Sequence, residues 1–249
     1  MSAPLLLPSP SVCVRPRPER RRSLPARVAS ALAALLVATA CAPTGRARPA
    51  PPINTAELPV ASNDQAERLL VDVARLDSTI AVDLRYRTGA NFTGAPLPGY
   101  EANRALLRRE PASALVRVQR ALRPAGLRLL IWDAYRPARA TDAMVRWTER
   151  VGRSDLIRDG YIAARSRHNL GVAVDLTLVD SAGRELAMGT PFDTFSEAAH
   201  TASASGEALA NRLRLRRAME REGFTAYDQE WWHFSHSTDA PLRFDLVIR

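Results

Sequence analysis

The stretch Ser166-Arg167-His168-Asn169-Leu170-Gly171-Val172-Ala173-Val174-Asp175-Leu176-Thr177 decides how the rest of this chain is read. From Gly171 to Val179 the residues are apolar and rich in valine and leucine, and a turn at 180–183 follows, so the segment predicts a buried strand. Asp175 lies inside that run between Val174 and Leu176, where a carboxylate is costly to bury unless it is paired or holds a metal ion. His168 ends the preceding loop. Gly171 lets the chain turn, so that two residues seven apart can reach one ion.

A second segment, Glu230-Trp231-Trp232-His233-Phe234, has the same mixture of aromatic and ionisable residues. As a regular strand it would place 231 and 233 on one face and 230 on the other. A bulge or strand entry at Glu230 would bring Glu230 and His233 to one ion. The chain has only four histidines, and His200 and His236 fit no ligand pattern. Both cysteines, Cys13 and Cys41, lie in the N-terminal segment, so any metal site in the domain is built from histidine and carboxylate. Two imidazoles and one carboxylate leave a fourth tetrahedral position for water. Water polarised there has its pKa lowered towards ~7, and a nearby carboxylate that is not a ligand can take its proton. His168, Asp175 and His233 are the candidate donors and Glu230 the candidate base. Each segment alone reads equally as a core histidine or a hydrogen-bonded buried aspartate.

Working outward, Leu69–Leu76 and Ile80–Tyr86 read as strands and Thr88–Gly99 as a turn-rich loop. Pro111 opens a helix that continues through Leu115, Val118 and Leu122 and stops at Pro124-Ala125-Gly126. Leu127–Trp132 reads as a buried strand, and Arg139–Glu149 and Glu207–Glu222 as helices, the last closed by Gly223. Trp231–Ser235 and Phe244–Ile248 complete the strands. Strands and helices do not alternate regularly, so the expected fold is α+β, a single domain with a central antiparallel sheet flanked by helices.

The formal charge of +9 needs discounting before it is read as a nucleic-acid or membrane signal. Six arginines and one glutamate in residues 1–41 account for +5 of it, and the rest is thinly spread. A clustered basic face with interleaved aromatics is lacking, so no nucleic-acid partner is expected. Every basic residue is arginine, which excludes a catalytic lysine. Arg20-Arg21-Arg22 and Arg27 precede the apolar run Val28–Ala38, and Thr39-Ala40 precede Cys41, as in a lipoprotein export signal. Residues 1–41 are therefore expected to be a signal, with Cys41 lipidated. The Pro-, Ala- and Arg-rich segment 42–66 is expected to be a linker, and 67–249 the folded domain. This predicts an exported protein of the periplasm or cell envelope, tethered to the membrane through Cys41. Oligomeric state is not readable from the chain.

Six blocks in order resemble the D-alanyl-D-alanine dipeptidase family of zinc peptidases, which includes the vancomycin-resistance dipeptidases. They are Asp83-Leu84-Arg85-Tyr86 with Asn91-Phe92-Thr93-Gly94, Gly99-Tyr100-Glu101 with Asn103, Trp132-Asp133 with Tyr135-Arg136-Pro137, the His168 and Asp175 segment, Met188-Gly189 with Phe192-Asp193, and Glu230-Trp231-Trp232-His233. The resemblance implies the fold of the zinc D-Ala-D-Ala peptidases and Hedgehog-like domains, one zinc per chain on His168, Asp175 and His233, and Glu230 as catalytic base. It implies that Arg136 steadies the oxyanion, that Asp193 and Tyr86 hold the ammonium of a small dipeptide, and that Ser166 and Tyr100 contact substrate. A D,D- or L,D-carboxypeptidase acting on cell-wall stem peptides and a non-catalytic zinc domain that binds such peptides are the competing readings.

Overall fold

Gln65 and Ser62 form a reciprocal capping box, each side chain bonding the other's backbone N–H, and this starts the first helix upstream of the expected boundary at Glu67. The structure is a computed structural model that describes residues 58–249; the expected signal and most of the expected linker lie outside the described residues. In chain order the elements are α1 (Asn63–Leu69), β1 (Leu70–Asp72), α2 (Val73–Leu76), β2 (Ala81–Val82), β3 (Leu106–Arg108), α3 (Arg109–Leu122), β4 (Arg128–Asp133), α4 (Ala138–Arg150), α5 (Asp155–Arg158), β5 (Ala173–Val179), α6 (Gly206–Arg221), β6 (Thr225–Tyr227) and β7 (Glu230–Ser235).

The fold is α+β, built on a five-stranded sheet of order β2-β4-β5-β7-β6. All its pairings are antiparallel except the edge pair β2 and β4, which is parallel, so the sheet is mixed where a purely antiparallel one was expected. A separate antiparallel ribbon joins β1 to β3. All seven residues of β5, a central strand paired on both edges, are buried, so both of its faces are covered. This is why its sequence is continuously apolar and not alternating.

On α3 the apolar positions Leu115, Val118 and Leu122 fall on one buried stripe, together with Ala112 and Ala114. Gln119 on that stripe is fully buried, and its side-chain oxygen accepts the Leu129 N–H at 2.9 Å, tying the helix to β4. Leu129 and Ile131 of β4 and Leu176 and Leu178 of β5 are likewise without exposure. Each such side chain contributes about 1.5–3 kcal/mol through burial.

Three expected strands are shorter than read. Leu69–Leu76 yields only β1, because the Asp72 carboxylate accepts the Ala74 N–H and starts the one-turn helix α2. Ile80–Tyr86 yields only β2, because the Leu84 N–H is taken by the Asn103 side chain and the chain leaves the sheet for a 3₁₀ turn at Arg85–Arg87. The expected strand at Phe244–Ile248 makes a single bridge, between Ile248 and Tyr100.

Candidate active site

Two bulges set the register that builds the site. On β4, the step from Ile131 to Asp133 spans a single step on β5, so Trp132 is extra and Asp133 falls opposite Asp175. On the other side of β5, Asp175 pairs with His233 of β7. A row Asp133, Asp175, His233 therefore crosses three neighbouring strands. A second bulge lies in β7, where the stretch from Glu230 to Phe234 faces only the step from Tyr227 to Ala226 on β6. This irregularity brings both Glu230 and His233 to the same cavity wall, which a regular strand would not do.

His168 arrives from a 3₁₀ turn, Arg167–Leu170, capped by the Ser166 hydroxyl, which accepts the His168 N–H at 3.2 Å. Gly171 closes the turn with φ 65°, and a Cβ there would stand 2.5 Å from Leu70 Cδ2. Only glycine satisfies both the left-handed backbone and the contact.

The donor atoms converge. His168 Nε2 lies 3.1 Å from His233 Nδ1 and 3.3 Å from Asp175 Oδ2, and His233 Nδ1 lies 2.9 Å from Asp175 Oδ1. One ligand atom from each residue falls within a 4.8 Å cluster. His168 Nδ1 sits 2.6 Å from the Ala134 carbonyl, which can only accept, so Nδ1 carries the proton and Nε2 points its lone pair into the cluster. Asp175 would be raised by burial, but the two imidazoles hold its carboxyl well below the usual range. Burial lowers the pKa of His233, which favours its neutral, ligating form. Two imidazoles and a carboxylate with lone pairs aimed at one point fit a divalent ion of mixed nitrogen and oxygen preference, such as zinc.

Around this cluster is a cavity of about 500 Å³. Glu230 is buried on its wall, and burial, with the Asp175 and Asp193 carboxylates nearby, holds its pKa well above the usual carboxylate range. A buried carboxyl with a raised pKa is suited to taking up and returning a proton. Arg136, also buried on the wall, donates from Nε to Asp133 Oδ2 at 2.9 Å. Its second nitrogen lies 2.8 Å from Asp133 Oδ2 and 3.6 Å from Asp175 Oδ2. The guanidinium thus separates two carboxylates that the register sets side by side, an arrangement that would be repulsive without it.

Tyr86 donates to both oxygens of Asp193, at 3.0 and 3.3 Å, and both residues line the cavity. Removal from water and the Asp175 charge push the Asp193 pKa up to about 8. Asp193 adopts φ 57°, a left-handed backbone that aspartate tolerates better than most residues. Ser166 lines the cavity as well. Tyr100 does not: its hydroxyl donates to Asp133 Oδ1 at 2.6 Å, behind the arginine. Tyr100 is thus placed as a buried support for Asp133. His200 meets the Tyr161 hydroxyl at 3.1 Å behind the cavity wall, and His236 stacks edge-on against Phe224.

Asp133 is the residue that sequence reasoning passed over. It is fully buried and receives hydrogen bonds from Tyr100 and Arg136, with its Oδ2 3.5 Å from His168 Nδ1. The signal was present, since an acid ending an apolar run raises the same burial question as Asp175.

Three convergent donors, a buried proton-exchanging carboxylate and a buried cation beside them are the parts of a metal-dependent hydrolase. The chain belongs to the D-Ala-D-Ala dipeptidase family of M15 zinc metallopeptidases, whose family model matches residues 66–246. A D-alanyl-D-alanine dipeptidase of Enterococcus faecium is 38% identical over 168 residues, covering 61% of this chain and 83% of the relative. One from Streptomyces coelicolor is 38% identical over 179 residues, covering 66% of this chain and 89% of the relative. Among solved structures, the vancomycin-resistance D,D-dipeptidase VanXYg in complex with a D-Ala-D-Ala phosphinate analogue is 18% identical with a TM-score of 0.36, covering 68% of this chain and 66% of that one.

Proposed function

We propose that this chain is a zinc-dependent dipeptidase that hydrolyses D-alanyl-D-alanine to two molecules of D-alanine. The observation that carries this reading is the convergence of His168 Nε2, Asp175 and His233 Nδ1 beside Glu230 and Arg136, in a member of the dipeptidase family. A zinc ion held by those three donors supplies Lewis-acid polarisation of water and of the scissile carbonyl.

The remaining chemistry falls to the chain's own residues. Glu230 accepts a proton from the attacking water and delivers it to the leaving amine, so the reaction consumes one water and leaves the carboxyl as it began. Arg136 is held by Asp133 with its charge already in place, where negative charge develops on the carbonyl oxygen. Asp193, oriented by Tyr86, pairs with the free ammonium of the dipeptide, and the Ser166 hydroxyl faces the same space. The ammonium favours the ionised form of Asp193, and a substrate without that ammonium loses this ion pair, which selects against longer chains.

Purified protein supplied with zinc is expected to release D-alanine from D-Ala-D-Ala and not from a stem pentapeptide. The reverse preference would assign the site to a carboxypeptidase. Peptide binding without any hydrolysis would assign it to a binding domain. As part of the same proposal, the enzyme works in the cell envelope on a lipid tether. The basic run at Arg20-Arg21-Arg22, the apolar run Val28–Ala38 and Cys41 support that location. Incorporation of labelled fatty acid that is lost in Cys41→Ser is the check.

A further inference from the structure

The segment from Ala187 to Thr201 has no strand and only two short 3₁₀ turns, Glu197–Ala199 and Thr201–Ser203, at its far end, yet it carries Asp193 and Phe195 to the cavity. What fixes it is Arg212, a side chain of α6 that is 1% exposed and outside the site described above. Its Nε donates to the Met188 carbonyl at 2.6 Å. One terminal nitrogen donates to the His200 carbonyl at 2.7 Å, and the other to the Ala198 carbonyl at 3.1 Å and the Thr190 hydroxyl at 3.4 Å. A single planar cation therefore grips both ends of the Asp193 segment. Its acceptors are three carbonyls and a hydroxyl, none of them a carboxylate.

A buried guanidinium without a carboxylate partner is costly, and burial does lower its pKa. The guanidinium carbon lies 5.8 Å from the Trp231 ring centroid, and Trp231 Nε1 donates to the same Thr190 hydroxyl at 2.9 Å. Trp231 is the neighbour of Glu230 in β7. Arg212 thus ties the segment bearing Asp193 to the strand bearing Glu230 and His233.

We infer that Arg212 is a positioning residue for substrate selection, setting the distance between the ammonium-binding carboxylate Asp193 and the hydrolytic centre. The inference rests on the reading of Asp193 given under Proposed function. Lysine keeps the charge but cannot span four acceptors with one rigid plane. A displaced ammonium partner weakens substrate binding, which is read in KM, while the metal donors stay where sheet register and the Ser166–Gly171 turn hold them.

The test is steady-state kinetics of the zinc-loaded full-length enzyme as wild type, Arg212→Lys and Asp193→Asn, with D-Ala-D-Ala and its N-acetyl derivative as substrates. Arg212→Lys is expected to raise KM for D-Ala-D-Ala roughly tenfold while kcat stays within about threefold, and to narrow the preference for the free amine. Zinc content is expected to equal that of wild type. Thr190→Val, which removes the acceptor shared by Arg212 and Trp231, is expected to shift KM and the free-amine preference in the same direction and carries the test if Arg212→Lys does not fold. A raised KM in Asp193→Asn beside an unchanged KM and preference in Arg212→Lys and Thr190→Val overturns the inference alone. An Asp193→Asn enzyme with wild-type KM overturns the ammonium assignment and the inference together.

Discussion

The metal-donor row and the substrate-facing shell share one cavity but are built by different means. Asp175 and His233 sit opposite each other on paired strands, and His168 hangs from a turn capped at both ends, by Ser166 and Gly171. Their geometry is fixed by sheet register and by a strand buried along its whole length. Tyr86 and Asp193 come instead from a 3₁₀ turn and an irregular loop, held by side chains such as Arg212. Register-built geometry fails in an all-or-none way, because a one-residue slip reverses every side chain. Loop-built geometry can drift by degrees. The two regions should therefore respond differently to substitution.

The largest effect is expected at Glu230, which acts on the register-built centre without being a donor. Glu230→Gln should bind zinc like wild type and lose turnover by about 10²- to 10⁴-fold. Loss of metal in that variant would break the division between donors and base, and would mean that the row extends to position 230. Next comes Asp133, the buried end of that row, which anchors Arg136. Asp133→Asn should lower kcat/KM by about 10- to 100-fold, since Arg136 would lose its charged anchor and Asp175 would face it alone. Tyr100→Phe removes one hydrogen bond to the same carboxylate and leaves both arginine contacts, so its effect should stay below about tenfold. Equal losses in these last two variants, measured by kinetics on metal-loaded protein, would contradict the ranking. The loop-borne shell, tested at Arg212 and Asp193, should change KM first.

The same contrast explains what the sequence made legible. The metal donors could be read because each paradox was local: an acid inside an apolar run, and a histidine beside a glycine that permits a turn. The central strands and the long helices followed from periodicity and from Pro111 and Gly223 as punctuation. Harder to read were features decided by distant partners. Ile80–Tyr86 looks like a strand until Asn103 takes the Leu84 N–H. The bond from Tyr100 to Asp133 joins residues 33 apart in the chain, and no local pattern announces it. The bulge at Trp132 that sets Asp133 opposite Asp175 arises from pairing between strands, and one strand alone does not reveal it; the irregularity at Glu230 was readable only as one of two ways to bring Glu230 and His233 together. Arg212 lay in an arginine-rich helix, where nothing distinguishes a buried guanidinium from its exposed neighbours until the fold places it against the Asp193 segment.

Everything proposed for this cavity depends on His168, Asp175 and His233 forming one metal site that hydrolysis requires. Protein stripped with a chelator and titrated with zinc, while D-alanine release from D-Ala-D-Ala is followed, tests it most directly. The expected result is no release from metal-free protein, full return at one equivalent of zinc per chain, and no return in His168→Ala. Undiminished hydrolysis by the metal-free enzyme, or full activity in His168→Ala, would contradict it.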